Sequence, residues 1–303
     1  MFRPAVILLA LVVAITSGCA PVDGASAIQR DCAAPTEVVH EVPVEPPLRR
    51  YFFLIDRSSS YATYLPEALR LVEGTIDALG APNAAFHVSW IGSNSGAPSE
   101  AVIPALGDLP PRAPVVAISG ITPRPEYSEI EIPDGASDAL RFQRLRERER
   151  ARGAYNCDLA EWISATNRAV ESGTREQALA TERFRLDLRQ VVAELDPRID
   201  NVATHIYEAV FDASLTIQTL DGDRKTIVIF SDMDELRGTQ LEEGQLDLSG
   251  IGVVIALMPY DTPADLDRKA EHWRAFFAAH AAESVTVLAT GSTSAEGIAR
   301  AAR

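Results

Sequence analysis

Positive charge is the first scarcity in this chain: 28 Lys and Arg stand against 43 Asp and Glu, for a net charge of −15. Neutralising phosphates takes clustered Lys and Arg, so the balance excludes a general nucleic-acid binder. Histidine is sparse and scattered at 40, 87, 205, 272 and 280, with no metal-ligand spacing. There is no Gly-rich phosphate loop and no Gly-x-Ser-x-Gly elbow. The chain thus offers no nucleophile paired with its base, and no catalytic residue is assigned. Nor does any apolar run reach the ~20 residues of a permanent membrane span.

The longest apolar run, Ala5 to Ile15, follows Arg3 and precedes Thr16-Ser17-Gly18-Cys19. That order of a charge, a short apolar core and small residues fits a secretory signal over residues 1–18. The small residues before Cys19 resemble a lipobox, although Thr16 stands where Leu is usual. The resemblance implies an exported protein whose Cys19 is acylated, with several acyl chains giving stable anchoring. Ala20 is not the Asp that marks inner-membrane retention, so in a host with two membranes the outer membrane, facing the periplasm, is expected. Cys32 and Cys157 are the remaining cysteines of three. In an oxidising compartment they form a candidate disulfide pair; two buried thiols are the alternative.

Residues 19–48 carry Pro21, Pro35, Pro43, Pro46 and Pro47 without periodicity and read as a tether. The pattern then changes. Tyr51-Phe52-Phe53-Leu54-Ile55 is a continuous apolar run, as in a strand buried on both faces. Leu65, Leu69, Val72, Ile76 and Leu79 then recur at helical spacing up to Gly80. Further strands are expected at 86–91, 115–118, 226–230, 253–257 and 285–288, with a helix over 264–282. Strands alternating with amphipathic helices imply a doubly wound, mostly parallel α/β sheet of Rossmann-like type spanning 49–303. Residues 122–197 interrupt it as a helical insertion. An Arg-rich exposed helix over 141–152 is expected there, followed by two more over 158–171 and 174–195.

Asp56-Arg57-Ser58-Ser59-Ser60 directly follows the first strand. Oxygen-bearing side chains at alternate positions can share one side of a turn leaving the sheet's carboxyl edge, where ligands of open α/β sheets sit. A hard cation such as Mg²⁺ takes about six such oxygens and keeps several waters. This segment resembles the first motif of the metal-ion-dependent adhesion site of von Willebrand factor A domains. Thr204, in Val202-Ala203-Thr204-His205, is similar to the second-loop Thr of that family. Asp232, in Phe230-Ser231-Asp232-Met233, is similar to its third-loop Asp. The family often has Gly-Gly where this chain has Val202-Ala203, and Gly where it has Met233.

The resemblance implies a divalent metal, Mg²⁺ first with Mn²⁺ or Ca²⁺ as alternatives. Ser58, Ser60 and Thr204 would bind it through hydroxyls, and Asp56 and Asp232 mainly through waters. It further implies a membrane-anchored module that binds a partner protein, the partner offering a carboxylate to the metal. A metal-independent envelope scaffold with a degenerate site, or a metal-dependent hydrolase, are the other readings. Asp234 is expected exposed, His205 on a helix surface, and Trp90 and Trp273 in or beside the core.

Overall fold

The structure is a computed structural model that describes residues 32–42, 46–80, 82–91, 108–112, 121–193, 205–234 and 246–303. Of the positions singled out above, Cys19, Thr204 and the strand expected at 115–118 lie outside these residues. Two compact units are present: one of Met1–Val38 and Thr122–Ser164, the other of Val39–Ile121 and Ala165–Arg303.

The second unit is built on a six-stranded sheet ordered β3-β2-β1-β4-β5-β6. Its strands are β1 (Arg49–Asp56), β2 (Ala84–Ile91), β3 (Asp108–Arg112), β4 (Arg224–Phe230), β5 (Ile251–Met258) and β6 (Ser284–Ala289). All neighbours run parallel except β3, which pairs antiparallel with β2 at the sheet edge. Pro110 and Pro111 fall in β3, and an edge strand tolerates residues that cannot donate to a ladder. The sequence reading had a connection here.

Alternation along each strand sends side chains to opposite faces, and both faces are covered. Tyr51, Phe53 and Ile55 of β1 join Phe86, Val88, Val228 and Phe230 in one core. That core packs under α1 (Leu65–Leu79) and α5 (Ala295–Ala301). On the other face, Phe52, Leu54, Ile227, Ile229, Val253 and Ile255 pack under α3 (Ile206–Thr219) and α4 (Pro263–Ala279). A continuous apolar run such as Tyr51–Ile55 therefore feeds two cores at once. Helix α1 closes at Gly80, whose left-handed φ of 62° suits a residue without Cβ.

Helix α2 (Asp138–Ala193) runs unbroken for 56 residues and contributes to both units by sequence. The separate helices expected over 141–152, 158–171 and 174–195 are one. Gly173 looked like a break, but a mid-helix Gly costs only ~1 kcal/mol against Ala. Thr174 Oγ1 also donates back to the Val170 carbonyl at 2.8 Å, a bond available only inside the helix. The C-terminal part of α2 places Phe184 and Leu188 in the first core, within the segment read as an insertion.

In the first unit, Cys32 and Cys157 are joined by a disulfide with Cα atoms 5.1 Å apart. Asn156 Nδ2 donates to the Cys32 carbonyl at 3.2 Å, and Trp162 Nε1 to the Thr122 carbonyl at 2.7 Å. Tyr127 and Tyr155 rings lie 5.3 Å apart, and Arg148 pairs with Glu129. The arginines of α2 are thus partly in ion pairs, Arg144 with Glu147 included. Among the described residues no helix is long and apolar enough to cross a membrane.

Candidate functional site

Strand order reverses at β1, which pairs with β2 on one side and β4 on the other. The carboxyl ends of β1 and β4 therefore flank the crevice where ligands of such sheets bind. Asp56 is the last residue of β1, and Ser231-Asp232 follows β4 directly. Two of the sequence motifs meet at this point.

Asp56 is fully buried, yet each carboxylate oxygen has a donor. Its Oδ1 accepts from the Ser58 amide at 2.8 Å, and its Oδ2 from Ser231 Oγ at 2.6 Å. Ser231 was not singled out from sequence, although its place beside Asp232 was visible. Burial pushes the Asp56 carboxyl above the ordinary range, and the nearby Asp232 charge pushes the same way. The Ser231 and Ser58 hydrogen bonds oppose them. A buried carboxylate pair of this kind favours either a proton or a cation.

The hydroxyls of Ser58 and Ser60 are 3.1 Å apart, Ser58 buried and Ser60 exposed. Neither serves as the cap of α1, whose N-cap is Tyr64 without a side-chain cap bond. This separation can be set against metal geometry. Neighbouring oxygens of an octahedron with Mg–O near 2.05 Å lie about 2.9 Å apart. The pair thus fits one edge of a Mg²⁺ shell, and each Asp56 oxygen retains a lone pair for a metal-bound water. Among the described residues no three His, Cys, Asp or Glu side chains assemble as a metal cluster. The donors here are hydroxyls beside carboxylates, a hard-oxygen set.

Asp232 is 4% exposed. Its Oδ1 accepts from the Asp234 amide at 3.1 Å. Asp234 is exposed, as expected, and pairs with Lys269 of α4 at 3.0 Å. Lys269 Nζ also reaches the Asp232 carbonyl at 3.4 Å. Met233, between the two acids, has a left-handed φ of 59°. That backbone costs an L-residue about 1–2 kcal/mol. The Met233 amide donates to Ser231 Oγ at 2.9 Å, and its carbonyl accepts from Trp273 Nε1 at 3.2 Å. Two such bonds, at about 0.5–1.5 kcal/mol each, with a buried side chain worth about 2 kcal/mol, exceed the strain. The position where the resembled family carries Gly keeps a glycine-like backbone with a core side chain attached.

Tyr61, the residue after Ser60, is buried and directs its hydroxyl at the Leu257 carbonyl of β5, 3.4 Å away. Burial is the largest cause raising its ionisation well above the ordinary tyrosine value. It remains a neutral donor. His205 is the N-cap of α3 and lies 3.3 Å from Glu208 through Nδ1. Ser231, Tyr61, Lys269 and Trp273 are the residues around the site that sequence motifs alone did not point to.

Fold and site together define a doubly wound α/β domain whose switch point carries buried acids beside paired hydroxyls. In comparison with known proteins, no family model matches the chain and no curated protein matches it.

Proposed function

We propose that the chain is a lipid-anchored, exported module of the von Willebrand factor A type, which binds a partner protein through a divalent metal held at the β1–β4 switch point. Ser58 and Ser60 would contact the metal directly, with Thr204 as the third hydroxyl. Asp56 and Asp232 would hold its waters and balance its charge. The metal would supply a Lewis-acid position open to a carboxylate of the partner, and the surrounding loops would supply selectivity.

The observation that carries this reading is the 3.1 Å hydroxyl pair beside the buried Asp56. Serines serving only as turn formers have no reason to adopt a metal-edge spacing next to two buried acids. Anchoring rests on the signal-like residues 3–19, and export is consistent with a disulfide between Cys32 and Cys157.

The test is calorimetric titration of the mature chain, carrying Cys19→Ser to prevent acylation, with Mg²⁺, Mn²⁺ and Ca²⁺. Asp56→Ala is measured beside it. Expected are binding and thermal stabilisation that vanish in the variant. Absence of binding in a folded protein overturns the metal reading and leaves a metal-independent envelope scaffold.

A further inference from the structure

Trp273 of α4 is 2% exposed and reaches two separate parts of the metal edge. Its indole Nε1 donates to the Met233 carbonyl at 3.2 Å, within the loop that carries Asp232. Its ring lies 5.3 Å from that of Tyr207. Tyr207 is in the first turn of α3, three residues after Thr204 in sequence. Phe276 packs on both rings, at 4.7 Å from Tyr207 and 5.5 Å from Trp273. One turn earlier on α4, Lys269 holds the Asp232 carbonyl and the Asp234 carboxylate.

We infer that Trp273 is a positioning residue that fixes the spacing between the second and third metal loops, so that α4 registers whether the metal is bound. The inference rests on the metal reading above and adds to it a residue outside the acid-and-hydroxyl set. Met233 is what makes the contact consequential. Its left-handed backbone stays in place only while both of its hydrogen bonds are made. Loss of the indole donor leaves the strain opposed by the Ser231 bond and side-chain packing alone. The Asp232 carboxylate, one residue earlier, loses its fixed direction. Tyr207 acts on the other side, where its ring sets the start of α3 against the same indole.

Two substitutions in the mature Cys19→Ser chain separate these contacts. Trp273→Phe keeps an aromatic ring against Tyr207 and drops the N–H. Tyr207→Leu keeps the N–H and drops the ring contact. Each is expected to weaken Mg²⁺ binding about five- to tenfold, the effect of one hydrogen bond or ring contact. Because both act on one spacing, the double variant should weaken it by less than the product of the two. A spectroscopic readout accompanies this. The chain has three tryptophans, so 5-fluorotryptophan labelling gives three ¹⁹F resonances, and Trp273→Phe identifies the relevant one. That resonance is expected to shift as Mg²⁺ is added.

A Trp273 serving only to fill the core would lower thermal stability while leaving Mg²⁺ affinity and its own resonance unmoved. Either of those two invariances, in a chain that binds Mg²⁺, overturns the inference and spares the metal reading. Failure of the unsubstituted chain to bind Mg²⁺ overturns both.

Discussion

Ser231 and Asp56 stand 175 residues apart in sequence, yet the serine hydroxyl donates to the aspartate Oδ2 at 2.6 Å. This bond ties the carboxyl ends of β1 and β4 across the switch point. The same hydroxyl oxygen accepts from the Met233 amide at 2.9 Å, so one atom orients the first acid and anchors the loop of the second.

Ser231→Ala removes both bonds from a dry location. An unsatisfied buried amide or carboxylate oxygen costs about 1–3 kcal/mol, so chemical unfolding should show a loss in that range. Mg²⁺ binding should weaken in parallel. Unchanged stability would mean that water replaces the hydroxyl.

Asp56→Asn is predicted to act in opposite directions on stability and on metal binding. Burial disfavours the ionised Asp56 carboxyl. A neutral amide of the same shape should therefore raise the melting temperature of the metal-free chain at neutral pH. The stabilisation by saturating Mg²⁺, about 2.7 kcal/mol at a hundredfold excess over Kd, should disappear in this variant. Melting curves with and without Mg²⁺ test both halves.

The Cys32–Cys157 bridge closes a separation of 125 residues. Its loss by Cys157→Ser should destabilise the first unit by about 2–5 kcal/mol, seen as faster proteolysis within 122–164. The metal edge belongs to the second unit, so Mg²⁺ affinity should be unchanged. A thiol assay giving two reactive cysteines in the oxidised mature Cys19→Ser chain would contradict the bridge itself.

Gly74 lies inside α1, where glycine is unfavourable by ~1 kcal/mol relative to Ala. A Cβ built there would meet the Ala295 Cβ of α5 at 3.0 Å. Gly74→Ala should be close to neutral, as propensity gain and crowding offset. Gly74→Val should destabilise by about 1–3 kcal/mol, with the two helices forced apart.

The sheet was legible because its strands are written as short continuous apolar runs, and Tyr51–Ile55 could be placed almost to the residue. Helix α1 was legible for the same kind of reason, with its apolar stripe ending at Gly80. The insertion was less so. Gly173 carries a propensity signal too weak to break a helix held by its neighbours, and α2 passed through it. Strand β3 was hidden because Asp108-Leu109-Pro110-Pro111-Arg112 has the composition of a loop, and only an edge position admits it. At the site, Asp56, Ser58, Ser60 and Asp232 could be named from spacing after strands. Trp273 could not, because its contact with Met233 joins elements far apart in sequence and leaves no periodic trace.

The disulfide also sets a leash. Under the lipid-anchor proposal, free chain runs from Cys19 to Cys32, where the first unit takes hold through Cys157. About a dozen residues then connect bilayer and protein, ~45 Å at full stretch, in place of the ~100 Å that the whole segment to residue 48 would permit. Local concentration near an attachment point rises steeply as the connecting chain shortens. Oxidation therefore corrals the first unit within reach of whatever lies on the membrane surface, and a reductant would pay the line back out.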